Sequence, residues 1–350
     1  MRERGKTALV VGGGPAGLES AVKIGQAGYR ALLVEKEPTL GGYLGKLCKT
    51  FPRLENPHDL LDTKIGLLEK ISTITVLTDT TVSAVQRKGD TFTARLTTGA
   101  ISTDAEVEVE AVVLATGFDY YDVSRYGEYG YGVYPGVMNS VEFEARLKEW
   151  SSRQINAKPP GAVAFIQCVG SRDPSKGYPY CSKICCMYSA KQAFLIKELF
   201  PETNCYVFYM DYRAAGKEYE EFVRSVIEQK HVRYVRGRPA KVFPNNGRLE
   251  VRAEDTLMGS PVEVEVDMVI LAGAIIPREE TIQLAQKLGV ATDNYGFLEH
   301  EFGSPATAGD GIFFAGGCGF AVEIQGALEQ GAAAAAEVIA FFSEVPEERN

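Results

Sequence analysis

Apolar positions in this chain fall into two patterns: short unbroken runs, and runs at helical spacing. Residues 7–11 (TALVV), 31–34 (ALLV), 111–117 (AVVLATG) and 162–167 (AVAFIQ) are apolar without alternation. Such runs predict strands buried on both faces, as in a parallel sheet. Residues 203–211 (TNCYVFYMD) predict another strand. Helical stretches are predicted after Gly17 to about Ala27, from His58 to about Lys70, and from Cys181 onward, where Ile184, Met187, Tyr188, Phe194 and Leu195 share helical spacing. Residues 73–114 and 240–276 read differently: alternating segments separated by turns, each leading into a buried strand before a small-residue turn. This internal echo predicts an α/β chain of two Rossmann-like, three-layer domains. The expected boundaries are 1–150 plus 277–350 for a discontinuous first domain and 151–276 for the second, with a linker at 151–160 (SSRQINAKPP). The tyrosines of 120–134 (YYDVSRYGEYGYGVY) follow neither period and predict a packed irregular loop.

Composition narrows the class. Hydrophobic residues at 45% and charged residues at 24% describe an ordinary globular chain. The net charge of −9 argues against nucleic acid as a partner. Seven cysteines without a paired framework argue against a secreted disulfide scaffold. A strand predicted from about residue 7 leaves no room for a signal peptide, and no run approaches the ~18 apolar residues of a membrane-spanning helix. The expectation is a cytoplasmic protein that reaches a membrane only through a partner.

The first turn carries chemistry. Gly12, Gly14 and Gly17 satisfy G-x-G-x-x-G, with Pro15 and Ala16 between them. Gly12 permits the tight turn, Gly14 lets a pyrophosphate approach, and Gly17 lets helix and strand pack closely. Glu35 stands about 20 residues on, at the end of the second strand, as the acid expected for ribose hydroxyls, and Lys36 follows it. Strand, motif, helix, strand and acid in register predict a bound dinucleotide. Three further stretches resemble the FAD-contacting motifs of the thioredoxin-reductase superfamily: Gly41-Gly42; Ala115-Thr116-Gly117; and 311–331, with Gly316, Gly317 and the helix start Ile324-Gln325-Gly326. By that resemblance Val82 lies where backbone clasps the adenine. The N–H groups at 324–326 would face the flavin ring, and their dipole would stabilise a reduced, anionic flavin. Gly317 replaces an acid common in that superfamily, so the ribitol contact must differ.

Four cysteines, Cys168, Cys181, Cys185 and Cys186, crowd the stretch 161–197, where a two-domain reductase would hold its second nucleotide. Cys168 is expected at the carboxyl end of a buried strand, where doubly wound sheets bind ligands. Cys181 and Cys185 would share a helical face if that turn is helical. Four thiolates suit a 4Fe–4S cluster, with helix N–H groups, Arg172 and Lys183 offsetting its charge. Residue chemistry alone leaves open a redox dithiol, a zinc site, or plain buried cysteines. The spacing C-x-x-x-C-C matches neither the usual dithiol C-x-x-C nor the ferredoxin run. Cys48 and Cys205 read as structural, and nothing supports catalysis by His58.

The runs F-I-Q-C-V-G-S-R-D, P-Y-C-S-K-I-C-C-M-Y-S-A-K-Q-A and Y-V-F-Y-M-D-Y-R-A-A-G-K-E-Y-E-E-F resemble the A subunit of heterodisulfide reductase and its relatives over nearly the whole chain. Those relatives include the A subunit of a quinone-interacting complex and a component of a cytoplasmic sulfur-oxidising complex, which this short form most resembles. The resemblance implies that Cys168, Cys181, Cys185 and Cys186 ligate a 4Fe–4S cluster in a thioredoxin-reductase-like core. It also implies that Lys191 lies close to the flavin ring. Leu54-Glu55-Asn56-Pro57 stands where larger relatives carry extra cysteines, so no additional cluster is expected. Ala321-Val322-Glu323-Ile324 replaces a P-K-D-I found in several relatives.

The resulting expectation is an FAD and 4Fe–4S electron-transfer subunit without a tight NAD(P)H site, because Gln167-Cys168-Val169-Gly170 replaces the second pyrophosphate loop. Substrate chemistry would lie in other subunits of a heterodisulfide-reductase-like complex. The chain is expected to form a homodimer. The rivals are a pyridine-nucleotide-dependent disulfide reductase using Cys181 and Cys185, and a flavin-stabilised scaffold.

Overall fold

A computed structural model of the chain describes residues 4–99, 103–152 and 158–344. The predicted linker at 151–160 lies partly outside them. Contacts divide the chain into two compact units: residues 1–45, 58–119 and 276–350, and residues 46–57 and 120–275. The segments 46–57 and 120–150 thus pack with the second unit, although the sequence boundaries had assigned them to the first.

The first unit is built on a six-stranded sheet ordered Thr307–Gly309, Ile312–Phe314, Ala111–Leu114, Arg4–Val11, Tyr29–Val34, Ile74–Leu77. All neighbours run parallel except the first pair. The unbroken apolar runs fill its centre: Ala8, Leu9, Val10, Ala111, Val112, Val113 and Leu114 have no exposed surface. Helices Pro15–Gln26 and Ile324–Ser343 pack together through small residues. A Cβ on Gly331 would meet the Ala16 carbonyl oxygen at 2.4 Å. The Ser20 hydroxyl lies 2.9 Å from the carbonyl oxygens of both Ala16 and Gly331, tying the two helices. The antiparallel insert is Thr80–Lys88, Thr91–Thr98 and Thr103–Val109.

The second unit repeats this plan. Its sheet runs Arg233–Arg236, Asn204–Tyr209, Ala162–Val169, Met268–Gly273, Val137–Asn139, all parallel. Its insert is Lys241–Asn245, Arg248–Asp255 and Ser260–Val266. Strand Ala162–Val169 is central and buried at every position, as its lack of alternation predicts. Helices Ser140–Ser151, Cys185–Leu199 and Tyr219–Glu228 supply the rest of the core. The first begins with a capping box, the Asn139 side chain accepting from the Val141 and Glu142 N–H groups.

The tyrosine-rich segment is packed and irregular, as expected. Tyr121, Tyr126 and Tyr129 are buried, and the Tyr126 and Tyr129 rings stack with centroids 5.7 Å apart. Among the described residues no helix is long and apolar enough to cross a membrane.

Candidate functional site

In each unit the central strand hands over to a helix, and chemistry gathers at that crossing. The first unit makes the turn in Gly12–Gly14. Gly12 has φ +110°, and a Cβ there would meet the Ala115 carbonyl oxygen at 2.3 Å. A Cβ on Gly17 would meet the Gly12 carbonyl oxygen at 1.9 Å. Both are glycine for want of space. Gly14 is not: its φ is −75° and nothing lies within 4 Å of an added Cβ. The open space stands at the start of helix Pro15–Gln26, which has no side-chain cap and no acid in its first turn. Unpaired N–H groups, a positive helix end and room for an anion fit the pyrophosphate of a dinucleotide.

Glu35, Gly41, Gly42, Ala115 and Gly316 border that turn or the helix start that follows it. Glu35 is buried, its carboxylate accepting from the N–H of Gly13 at 2.6 Å and of Glu37 at 2.9 Å. Lys36 is instead an exposed residue paired with Glu280 at 3.7 Å. Gly41 has φ +111° and its N–H donates to the Gly13 carbonyl; a Cβ on Gly42 would come within 3.5 Å of Gly14 Cα. Ala115 abuts Gly12 and Gly17. The Thr116 hydroxyl bonds that of Thr281, and Gly117 has φ +76°. Gly316 donates its N–H to Gln330, and a Cβ on Gly317 would strike the Phe118 ring at 2.4 Å. Val82 pairs with Leu96 just before a bulge in the insert. One detail differs from expectation. At the start of helix Ile324–Ser343, the N–H groups of Gln325 and Gly326 donate to the carboxylate of Glu323, at 2.6 and 2.8 Å. The sequence put these donors toward a ring; here they serve an N-cap.

The second unit spends residues 170–184 on the same crossing. Cys168, Cys185 and Cys186 are buried together with Tyr188 and Ala272. Cys185 lies between the other two in sequence and packing, in the same small buried cluster as Cys168 and Cys186. Donation from Cys185 draws the Cys168 thiol down, against burial and with help from Arg172. The same donation lowers Cys186, aided by the Arg213 N–H at 3.4 Å. Cys185, which gives both hydrogen bonds, is pushed well up. Helix Cys185–Leu199 begins without a side-chain cap or an early acid, so its first N–H groups remain available to negative charge.

Cys181 lies outside that helix. The turn is not helical, so Cys181 and Cys185 do not share a helical face. Lys183 has φ +60°, and its N–H donates to the Cys181 sulfur at 3.3 Å. Cys181 is half-buried, and the Arg172 guanidinium senses its charge together with that of Cys168. Cys168 itself has φ +61° and Arg172 φ +57°. Three non-glycine residues in left-handed conformation within one stretch is the kind of backbone strain that collects at functional sites.

The loop between is closed on itself and anchored at depth. Tyr178 N–H donates to Gly170, Arg172 N–H to Tyr180, and Asp173 N–H to Tyr178. The Asp173 carboxylate is buried and accepts from the Tyr126 hydroxyl at 2.6 Å, Arg238 at 2.7 Å and the Ser175 hydroxyl at 2.5 Å. Its bonds from Ser175, Tyr126 and Arg238 hold it well below the usual carboxylate range. Burial, with the bond to Asp173, lifts the Tyr126 hydroxyl to about 12. At the other end of the loop, Tyr180 donates to the Ile275 carbonyl and the Ser182 hydroxyl accepts from the Ile275 N–H, both at 2.9 Å.

Lys191 is not the solvated helix lysine that its position alone would suggest. It is 1% exposed, pairs with Glu144 at 2.6 Å and donates to the Lys49 carbonyl at 3.0 Å. Glu144 also accepts from Gln192 at 2.7 Å and from the Cys48 N–H at 2.9 Å. This buried network ties residues 46–57 to the helix that carries the cysteines. Cys48 is half-buried near Ser151, and Cys205 sits in the core, where burial pushes its thiol to about 12. Sequence reasoning missed Glu144, Asp173, Arg238 and Tyr126, because each acts through a partner distant along the chain.

The four thiols fit an iron–sulfur cluster in donor chemistry. Beside them the buried Gln167 Nε2 has no hydrogen-bond partner, while its Oε1 accepts from the Cys186 thiol at 3.6 Å. Among the described residues, no group of three or more His, Cys, Asp or Glu side chains is placed to hold a metal ion.

The chain matches known proteins in three ways. Residues 6–144 match the family described as pyridine nucleotide-disulphide oxidoreductase. The chain is 34% identical, over 94% of its length, to the iron-sulfur A subunit, numbered 2, of the CoB–CoM heterodisulfide reductase of Methanopyrus kandleri. It is 31% identical, again over 94% of its length, to the A subunit of the H(2):CoB-CoM heterodisulfide,ferredoxin reductase of Methanothermobacter thermautotrophicus. It spans 63% of each of these relatives. Among solved structures, thioredoxin reductase of Lactococcus lactis superposes with TM-score 0.65 at 17% identity, covering 97% of this chain and 100% of that one. Thioredoxin reductase of T. acidophilum gives 0.66 at 16% identity, covering 97% and 99%. The chain therefore has a thioredoxin-reductase-like fold and a sequence like that of the heterodisulfide reductase A subunits.

Proposed function

We propose that this chain is an oxidoreductase subunit that binds FAD in its first unit and a 4Fe–4S cluster on Cys168, Cys181, Cys185 and Cys186 in its second. One observation carries the reading: at the crossing that holds a glycine turn in the first unit, the second unit packs three buried cysteines into one small cluster, with a fourth half-buried in the loop just before them. Bound FAD would supply two-electron chemistry and its division into single electrons, and the cluster single-electron transfer. The chain's own residues hold and tune. Gly12–Gly14 and the open start of helix Pro15–Gln26 receive the pyrophosphate, and Glu35 orients the ribose. Arg172, the Arg213 N–H and the uncapped helix start at Cys185 offset thiolate charge. Lys191 is the candidate positive group for the flavin ring, a role that rests on the resemblance to the heterodisulfide reductase relatives.

The reading extends to partners. Those relatives are named as subunits, so electrons would pass to other subunits of a heterodisulfide-reductase-like complex. The sulfur-oxidising form is the favoured setting, with the quinone-interacting form as its neighbour. A cytoplasmic location and a homodimer are part of the same proposal, as is the lack of a tight NAD(P)H site.

A second reading is favoured by a specific contact. Cys185 packs with Cys168 in one buried cluster whereas Cys181 is half-buried in the loop, so Cys168 and Cys185 suit a redox dithiol better than the Cys181–Cys185 pair suggested by sequence. Iron and acid-labile sulfide, measured on anaerobically reconstituted protein and on Cys185→Ser, separate the two. About four irons per flavin, lost in the variant, support the cluster. Two titratable thiols without iron, and a flavin bleached by NADPH, favour the dithiol.

A further inference from the structure

The segment Met210–Gly216 runs over the cysteines and turns outward. The Arg213 N–H bonds the Cys186 sulfur, yet the Arg213 side chain is 51% exposed. Tyr212 beside it is 40% exposed. Its ring meets Tyr209 and Tyr234, with centroids 6.3 and 6.5 Å away. Tyr234 carries the inner end of this group, its hydroxyl buried without a partner. An aromatic group thus extends from a buried hydroxyl to the surface beside the segment that covers Cys186.

Cations surround its outer end. Arg172 and Arg213 both pair with Asp211, the latter at 3.5 Å. Arg236 is exposed and donates to the Met210 carbonyl at 3.1 Å. Lys183, next to Cys181, is exposed. Asp211 and Asp255 interrupt the patch, and Asp211 is already shared by two guanidinium groups. A local excess of arginine stands out on a chain whose net charge is −9. Exposed tyrosine flanked by arginine is the composition of interface hot spots, and arginine suits the recognition of carboxylates.

We propose that Tyr212, Arg213 and Arg236 form the centre of a docking face for a partner protein that presents a carboxylate-rich surface, seated over the cysteine site. The placement rests on the functional reading above, because an acidic partner seated here would lie directly over the thiols. Charge complementarity selects the occupant: like charge elsewhere on the chain repels an acidic protein, and this face attracts it.

Binding tests the proposal without requiring turnover. The probe is an acidic bacterial ferredoxin, titrated against the full chain at 50 and 300 mM salt, with basic cytochrome c as its counterpart. We expect ferredoxin affinity to fall about tenfold or more across that range. The double variant Arg213→Gln/Arg236→Gln should lose roughly tenfold at low salt. Tyr212→Ala, which leaves charge unchanged, should weaken binding as well. Arg87→Gln, in the antiparallel insert of the first unit, should not. Unaltered melting of each variant secures the comparison. The docking face is overturned if ferredoxin fails to bind, if the double variant binds as the parent does, if Arg87→Gln weakens binding equally, or if cytochrome c binds at least as well. Iron content, read on the same samples, tests the cluster separately. Ferredoxin binding that depends on these arginines in an iron-free protein would keep the docking face and remove the cluster.

Discussion

The two crossings from central strand to following helix share a fold and divide its chemistry. In the first unit the turn is Gly12–Gly14, and its defining property is space. Two glycines are forced by backbone contact, and the third leaves a gap at an uncapped helix start. In the second unit residues 170–184 make the crossing, three of the cysteines pack at the strand end and helix start, and a buried carboxylate anchors the loop. One crossing leaves open space at a helix start, the other gathers sulfur there. A doubly wound sheet sets where ligands bind, and the residues of the crossing set which ligand it is.

The largest expected effect breaks the first crossing. Gly17→Val places branched carbon where even a Cβ would lie 1.9 Å from the Gly12 carbonyl oxygen. Helix and strand must then separate. We expect destabilisation on the order of 4 kcal/mol and loss of co-purifying flavin absorbance. A Gly17→Val protein that melts and binds flavin like the parent would mean that close packing does not define this turn.

The second crossing should break through buried charge rather than lack of space. Lys191→Met leaves Glu144 without its cation in a site that is 3% exposed. Removing one partner of a buried pair costs about 3–5 kcal/mol. Replacing both, as Lys191→Met/Glu144→Leu, should recover much of that in thermal melting. If the double variant is no better than the single one, the pair does more than neutralise itself, and its bonds to the Lys49 carbonyl and Cys48 N–H become the stronger explanation.

A smaller effect sharpens the role of the loop anchor. Asp173→Asn retains shape but weakens the bonds from Tyr126, Arg238 and Ser175, for about 1–3 kcal/mol. The sign with pH follows from its depressed folded pKa. The unfolded carboxyl titrates near 4, so the contribution of Asp173 is fully present above that value. It is lost as the pH falls toward the folded pKa, which lies well below the usual range. The stability gap between parent and Asp173→Asn should stay constant from about pH 6 to 8 and narrow only below about pH 4. A gap that closes between pH 6 and 7 would implicate a different group.

Much of this was legible in the sequence because it is local. Unbroken apolar runs gave the buried strands, alternation gave the two inserts, and the spacing of Gly12, Gly14 and Gly17 gave the turn. The cysteine stretch was visible by its density of Cys. What was not legible depends on partners far apart in sequence. Nothing near Glu144 signals that it will meet Lys191, and Tyr126, Asp173 and Arg238 converge only once the sheet has formed. The segment 46–57 follows the double glycine of the first unit but packs with the second, because Lys191 and Glu144 hold its backbone. The start of helix Ile324–Ser343 teaches the reverse. A helix terminus predicted to be open is closed by the adjacent Glu323, a cap that the sequence displays in plain sight.

Gly14 offers the finest cut between space and packing. Unlike Gly12 it has an ordinary φ, and unlike Gly17 it has no neighbour within 4 Å of an added Cβ. Gly14→Ala should therefore leave the melting temperature of flavin-free protein unchanged. The methyl group would nevertheless occupy the approach to the N–H groups that open helix Pro15–Gln26. We expect flavin affinity to fall on the order of tenfold, about 1.4 kcal/mol, measured by fluorescence titration of the flavin-free protein. A loss of affinity without loss of stability would assign the gap to the ligand. Unchanged affinity would mean that the pyrophosphate sits elsewhere, and that the glycine spacing describes only how this strand and helix pack.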